Sequence, residues 1–210
     1  MNNLSNIEPK EVFRWFYGIN QYPRSSGNEK EVSDFLVQFA KDRNLEVYQD
    51  EILNVIIKKP GTPGYENSEP LIIQGHMDMV CVKTDDSNHN FDTDPIEMIV
   101  EGDVLRANNT TLGGDDGIAV AYGLAILDAD DIPHPPLELL VTTNEETGMD
   151  GAMELKADHL SGTRLLNLDT EVEGDFLVSC SGGLNIDLSF DIEREANSSK
   201  AYKLSISGLK

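Results

Sequence analysis

The 210-residue chain is strongly acidic, with 38 Asp and Glu against 16 Lys and Arg and a formal net charge of −22. Such a charge argues against a nucleic acid or an anionic membrane as a partner. No apolar run is long enough to span a bilayer, and the start of the chain has no basic or apolar leader region. With two cysteines, the chain is therefore expected to be a cytoplasmic protein with reduced thiols.

The predicted elements, taken in chain order, are typical of a sheet covered by helices. Two amphipathic helices are expected first, one beginning at Pro9 with an aromatic apolar face and one capped by Asn28. An alternating strand pair follows at residues 45–48 and 52–57, and a hairpin is predicted around residues 101–103. With a hydrophobic content of 39%, the chain can form one sizeable core and the beginning of a second domain.

An apolar run at residues 71–80 carries a histidine and an aspartate where it ends. It predicts a buried strand in which alternate residues share a face, so His76 and Asp78 should point the same way. Asp78 can then accept one N–H of the imidazole, which leaves the other ring nitrogen free to bind a metal. Taken alone, such a tripeptide is more often a hydrogen-bonded pair at a strand end.

Two further apolar runs also end in carboxylates. Residues 137–143 lead into Glu145 and Glu146, and residues 165–168 lead into Asp169. The strand ends of an open α/β sheet form its ligand crevice, so these three runs together predict a site. Glu145 and Glu146 leave the strand end in different directions, so one can bind a metal while the other faces a substrate.

A glycine-rich turn supplies another carboxylate. The sequence Thr-Leu-Gly-Gly-Asp-Asp-Gly at residues 111–117 turns into an apolar helix and places Asp115 and Asp116 near its N-terminus. The turn lacks the Gly-Lys-Ser/Thr of a phosphate-binding loop, and two acids would repel a phosphate. Asp116 is expected simply to cap the helix.

Together these stretches provide an imidazole and carboxylates of the kind that hold a pair of divalent metal ions. The candidate ligands are His76, Asp115, Glu146 and Asp169. Because a carboxylate beside a metal-bound water is placed to take its proton, the set predicts metal-assisted hydrolysis. A serine or cysteine nucleophile is disfavoured, since neither Ser181 nor Cys180 has a histidine in a suitable pattern.

Four of these motifs resemble, in order and spacing, those of the co-catalytic zinc peptidases of the M20 family. They are Gly-His-Met-Asp (75–78), Leu-Gly-Gly-Asp-Asp-Gly (112–117), Thr-Asn-Glu-Glu-Thr-Gly (143–148) and Asn-Leu-Asp (167–169). More narrowly, His-Pro-Pro-Leu-Glu (134–138) and Met-Asp-Gly-Ala (149–152) resemble the aminoacyl-histidine dipeptidase branch. The resemblance extends across nearly the whole chain.

The resemblance implies two zinc ions, with manganese or cobalt as alternatives because the same donors suit them. His76 and Asp169 would bind one ion. Glu146 would bind the other, and Asp115 would bridge the pair.

The resemblance also implies a catalytic role for two further acids. Asp78 would orient His76, and Glu145 would act as general base toward water and then as proton donor to the leaving amine. The expected substrate is a small peptide, an Xaa-His dipeptide such as β-alanyl-histidine.

The fold implied by the resemblance is a three-layer α/β/α mixed-sheet catalytic domain at residues 1–183. Residues 184–210 would form the first strands of an inserted α+β lid domain, through which the full-length protein would form a homodimer. Because similar proteins continue into a Gly-Gly-His-Ser-Gly segment and a later zinc-binding histidine, the chain is expected to be the N-terminal portion of a metallopeptidase. His89, His134 and His159 do not align with that histidine and are expected in loops or on helix surfaces.

Two alternatives stay open at this point. The chain by itself could be a catalytically inactive module that binds one metal through His76, Asp115 and Asp169. The parent protein could instead be a related M20 aminoacylase, carboxypeptidase or tripeptidase.

Overall fold

The structure is a computed structural model that describes residues 4, 7–170, 172, 174–179, 182, 186, 188–193, 200 and 202–207. The chain divides into two units, Met1–Glu173 and Gly174–Lys210. Among the described residues, no helix combines the length and the apolar character needed to cross a membrane.

The first unit contains helices, a five-stranded sheet and a two-stranded hairpin. Its helices are Lys10–Ile19 (α1), Lys30–Asp42 (α2), Gly114–Asp128 (α3), Glu145–Gly148 (α4) and Asp150–Glu154 (α5). Its strands are Glu46–Gln49 (β1), Val55–Lys59 (β2), Leu71–His76 (β3), Met98–Glu101 (β4), Val104–Ala107 (β5), Leu137–Thr142 (β6) and Arg164–Asn167 (β7).

The five-stranded sheet is mixed and has the order β1-β2-β6-β3-β7, while β4 and β5 form the separate hairpin. Strand β3 pairs in parallel with β6 and β7, and β2 pairs antiparallel with β1 and β6. Because parallel strands end at the same edge of a sheet, the residues that follow β3, β6 and β7 meet there. The predicted α/β fold with a mixed sheet is confirmed.

One face of the sheet packs against α1, α2 and α3. Alternate strand residues such as Ile57, Ile73 and Leu139 point into this core, as the period of two in a strand requires. Helix α3 approaches the sheet closely at Gly123, where a Cβ atom would overlap the side chain of Leu139. This close contact sets the position of the helix whose first turn carries Asp115.

The opposite face of the sheet is covered by shorter segments. Ile56, Ile72 and Leu140 are buried there against Tyr48, Leu155 and Leu160. The ring of His159, in the 3-10 turn Ala157–His159, stacks on Tyr48 with the ring centroids 3.5 Å apart. In the described part of the chain, this layer is therefore thinner than the three-helix layer on the other face.

The start of α2 differs from its prediction. Asn28 does not cap the helix, which begins at Lys30 after Glu29 and has no side-chain cap. The carboxylate of Glu29 accepts the backbone N–H of Asn144 at 3.0 Å instead. The predicted cap is wrong because the residue before the helix is used for a contact with the turn after β6.

The second unit has no helix or strand among its described residues. The lid strands predicted within residues 184–210 lie partly outside the described residues. Those strands and the domain boundary after residue 183 stay predictions.

A buried carboxylate on β6 holds the segment that precedes β7. Glu138 accepts hydrogen bonds of 2.7–3.0 Å from the N–H and hydroxyl of Ser161 and from the N–H of Gly162. The ammonium of Lys58 lies 3.5 Å from it. Burial acts to raise the pKa of Glu138, but these hydrogen bonds and Lys58 together hold that pKa below its usual range.

Glu138→Gln should lower the free energy of unfolding at neutral pH by about 2 kcal/mol, the scale of hydrogen bonds to a charged acceptor. Because the folded-state pKa is lowered, this stabilisation is complete above the ordinary carboxyl pKa of about 4.3 and is lost as the pH falls through the folded-state pKa. Thermal unfolding of the two proteins, followed from neutral to acid pH, should converge at acid pH. Glu46→Gln is the matched control, since Glu46 is exposed and also lies 3.5 Å from Lys58; an equal loss there would contradict the assignment.

Candidate metal centre

The site lies at the carboxyl ends of β3, β6 and β7, and His76 is its central imidazole. The side chain of His76 is 1% exposed, and its Nδ1 lies 3.2 Å from Oδ1 of Asp78 and 3.1 Å from the carbonyl oxygen of that residue. Its Nε2 lies 3.0 Å from Oδ1 of Asp115. With Nδ1 held by Asp78, Nε2 is the ring nitrogen that can bind a metal.

Further carboxylates surround Nε2 of His76. It lies 3.8 Å from Oε2 of Glu145 and 3.9 Å from Oδ2 of Asp169. Two groups of side chains could each hold a metal ion: His76 with Asp115 and Glu146, and His76 with Asp116 and Asp169. Within each group the ligand atoms lie within 4.8 Å of one another. An imidazole with carboxylates is a donor set that suits zinc, and manganese and cobalt accept the same donors.

The cluster concentrates negative charge. Within the described part of the chain, no Lys or Arg side chain forms an ion pair with Asp115, Glu145 or Glu146. Nε2 of His76 lies 3.0 Å from Asp115 and 3.8 Å from Glu145. Burial raises the pKa of Glu145 and of Glu146, and the charge of Asp169 near the first and of Asp115 near the second adds to the effect. A divalent cation would relieve this repulsion, so the residues present fit a metal.

The same acids act on the imidazole. Burial alone would lower the pKa of His76, but its hydrogen bond with Asp78 and the nearby charges of Asp116 and Asp169 raise that pKa to about 9. The ring is therefore held in a strongly negative environment, in which a bound cation would replace its proton.

Asp78 connects the end of β3 with the start of α4. Its side chain is 0% exposed, and it accepts hydrogen bonds from the hydroxyl of Ser26 at 2.8 Å and from the backbone N–H groups of Glu145 and Glu146 at 3.1 and 3.2 Å. Burial acts to raise the pKa of Asp78, but the hydrogen bonds from His76, Ser26 and Glu145 hold it below its usual range. One carboxylate thus sets the positions of both the imidazole and the adjacent glutamates.

Two buried polar residues that the sequence patterns do not reveal, Glu29 and Asn54, hydrogen-bond to the turn between β6 and α4. Asn144 has a left-handed φ of 52° and donates its N–H to Glu29. Asn54 accepts the N–H of Thr143 at 3.1 Å and donates to the carbonyl of Gly151 at 2.9 Å. Glu29 and Asn54 have no local sequence signal, because their partners lie 115 and 89 residues away.

The glycine-rich turn places its two aspartates differently. Gly113 has a φ of 69°, and Asp115 and Asp116 are not helical although they stand in the first turn of α3. The Asp115 side chain is 64% exposed. Asp116 is buried and accepts the backbone N–H of His76 at 3.2 Å.

The prediction that Asp116 caps α3 is wrong, because its carboxylate binds the neighbouring strand. Strand β7 pairs with β3 as far as Gln74, so the N–H of His76 lies beyond the end of that ladder and needs another acceptor. Burial raises the pKa of Asp116 to about 7.

Cys81 and His134 are at least partly buried. Cys81 packs beside the cluster of Met79, Ile96 and Ala107. His134 lies in a loop, as expected, although it is buried there; it exchanges hydrogen bonds with Thr62. Cys180 and Ser181 lie outside the described residues.

The mixed sheet with this crevice has the fold of peptidase catalytic domains. The crystal structure of a tripeptidase from Staphylococcus aureus has a TM-score of 0.66 and 23% identity, over 79% of this chain and 44% of that one. At this identity the likeness shows the fold alone.

Dipeptidases are more similar in sequence. The cytosol non-specific dipeptidase of Escherichia coli is 38% identical over 212 residues, which is 100% of this chain and 44% of that protein. The crystal structure of an aminoacylhistidine dipeptidase from Vibrio alginolyticus has a TM-score of 0.80 and 40% identity, over 82% of this chain and 35% of that one. No protein-family model matches the chain.

These comparisons confirm the resemblance that the motifs indicate. The chain matches the N-terminal part of the aminoacyl-histidine dipeptidase branch of the M20 peptidases. It spans less than half the length of the relatives it matches, 44% of the E. coli protein and 35% of the Vibrio chain.

Asp78→Asn should weaken zinc binding by about 10- to 100-fold, the usual effect of removing a residue that orients a ligand. An amide nitrogen cannot accept a hydrogen bond, so the variant cannot hold the N–H groups of Glu145 and Glu146 together with His76. Zinc affinity measured by competition with a chelator tests this. Ser26→Ala removes a single donor to the same carboxylate and should cause a smaller loss; unchanged affinity in Asp78→Asn would contradict the role given to Asp78.

Proposed function

We propose that this chain is the N-terminal part of a metal-dependent dipeptidase that hydrolyses Xaa-His dipeptides, with β-alanyl-histidine among its substrates. The observation that supports this best is the gathering of His76, Asp115, Glu146 and Asp169 at the crevice of the sheet. The fold that carries this crevice is shared, at 40% identity, with a protein named as an aminoacylhistidine dipeptidase.

Two metal ions are part of the proposal. His76 and Asp169 would hold one ion and Glu146 the other, with Asp115 shared between them. Zinc is the expected metal, with manganese or cobalt as alternatives. When bound, the ions would supply Lewis acidity and lower the pKa of a water molecule, which makes hydroxide available at neutral pH.

Glu145 is the proposed general base. Its side chain is 32% exposed, and its carboxylate lies 3.8 Å from Nε2 of His76. Burial and neighbouring acids raise its pKa, which favours proton uptake at that carboxylate. Glu145 would take a proton from the attacking water and return it to the leaving amine, while Asp78 holds both Glu145 and His76 in place.

The location and assembly of the whole protein are also proposals. A cytoplasmic location is supported by the E. coli relative, which is named a cytosol dipeptidase. A homodimer is also proposed from the M20 resemblance, formed through a lid domain whose first strands would lie within residues 184–210. Sedimentation of the longer protein would measure it.

Glu145→Gln in the longer protein that continues past residue 210 should lower turnover of β-alanyl-histidine by about 10²- to 10⁴-fold, the usual contribution of general acid–base catalysis. Its metal content should stay nearly unchanged. Asp115→Asn should lower both metal content and turnover. Metal analysis and hydrolysis are measured on the same samples, and equal metal loss in the two variants would contradict the roles assigned.

The 210-residue chain should bind about one zinc ion and show no turnover, because three protein ligands and a water form a plausible zinc site. Zinc stoichiometry and hydrolysis of β-alanyl-histidine on one sample measure this. Two zinc ions with turnover would show that the chain supplies the whole active centre, alone or as an oligomer. If the longer protein prefers a tripeptide, the assignment to dipeptidases fails.

A further inference from the structure

We propose that Arg24 is a positioning residue of the metal centre, whose buried guanidinium fixes the strand end that carries His76 against the turn that carries Asp115. The inference rests on the proposed metal site. The relevant contacts lie in the loop after α1, at the end of β3 and at the start of α3.

The guanidinium of Arg24 bridges the two ligand-bearing segments directly. Its Nη1 donates to the carbonyl oxygens of Met77 and Asp78 at 3.1 and 3.4 Å, and its Nη2 donates to the carbonyl of Gly113 at 2.5 Å. Met77 directly follows His76, and Gly113 stands two residues before Asp115. A single planar group therefore determines how closely the imidazole and this carboxylate approach each other.

The side chain of Arg24 is itself held in place by Asn20. Oδ1 of Asn20 accepts hydrogen bonds from its Nε at 3.2 Å and its Nη2 at 3.1 Å. Asn20 is fully buried and donates to the carbonyl of Phe16 in α1 at 3.0 Å. The backbone carbonyl of Arg24 also accepts the N–H of Met79 at 3.0 Å. Through these hydrogen bonds, the guanidinium fixes the end of β3 and the start of α3 relative to α1.

The glycines of the turn leave room for this group. A Cβ atom at Gly113 would overlap Nη2 of Arg24, and one at Gly117 would lie 2.8 Å from the same atom. At Gly114, between them, a Cβ atom would meet open space. Two of the three glycines in the motif are therefore matched to the guanidinium, in addition to the positive φ that Gly113 requires.

The charge of Arg24 interacts with the carboxylates of Asp78, Asp115 and Asp116. Arg24 is 2% exposed, and the hydrogen-bond acceptors of its guanidinium in the described part of the chain are neutral oxygens. Burial lowers its pKa to about 10, so it stays charged at neutral pH, and Asp78, Asp116 and Asp115 favour that charge. A buried cation without a direct carboxylate partner is costly for folding, which favours a role in the site over one in stability alone.

The test is Arg24→Lys, which keeps the charge and loses the planar fork, because one ammonium cannot reach all three carbonyl oxygens in the same geometry. Cobalt affinity, by calorimetry, should fall by about 10- to 100-fold, and the visible absorption bands of the cobalt complex should change. Arg14→Lys is the matched control, since Arg14 lies on α1 with its side chain 57% exposed. Wild-type affinity and spectrum in Arg24→Lys would overturn the proposal.

A second pair of variants keeps the test valid if Arg24→Lys does not fold. In Gly117→Ala, the new methyl group would lie too close to Nη2 of Arg24, although alanine is otherwise favourable in a helix. This variant should also weaken cobalt binding, by a smaller factor than Arg24→Lys. Gly114→Ala is the control beside it. Equal affinity in the two alanine variants would contradict the positioning role.

A measurement without metal separates this inference from the proposed function. In the metal-free protein labelled with ¹⁵N-histidine, Arg24→Lys should shift the ring nitrogen resonances of His76, because Arg24 holds the Asp78 carbonyl that contacts Nδ1. Arg14→Lys should leave them unchanged. If the wild-type protein binds no cobalt, the proposed metal function fails; unchanged His76 resonances in Arg24→Lys would overturn the positioning role whether or not metal binds.

Discussion

The buried carboxylate of Asp78 is the contact on which the arrangement of this site depends. It receives donors from three directions: the imidazole of His76, the hydroxyl of Ser26 and the two N–H groups that open α4. These donors offset the cost of burying a charge, which would otherwise favour its protonation. The Asp78 side chain thereby connects the end of β3 to the residues that follow β6, in addition to the parallel ladder between the two strands.

The part of the site that could be predicted from the sequence is the part with a local pattern. His76 and Asp78 follow an apolar run of strand type, Glu145 and Asp169 follow two others, and parallel strands bring such ends together. Asp115 can be predicted as well, because glycines before a helix mark a turn. The sheet and its helices follow from the same periodicities of two and 3.6 residues.

The residues that support the site have no such pattern. Arg24 and Glu29 lie in or beside loops, and each acts on carbonyl or N–H groups that are distant in sequence. Backbone groups look alike in any sequence, so their partners cannot be inferred from residue types. Asp116 shows the same limit: next to Asp115 it resembles a helix cap, and the place where β7 stops decides that it binds the backbone of His76.

The long loops that these contacts close have a consequence for how the protein folds. The N–H of Asn144 and its acceptor Glu29 are 115 residues apart, and His76 and Asp115 are 39 apart. Such pairs form slowly, since the entropy of closing the loop must be lost before the contact stabilises anything. The ligand cluster depends on these long-range contacts of the folded chain, so an ion that binds the cluster would select the folded state and raise its population by mass action.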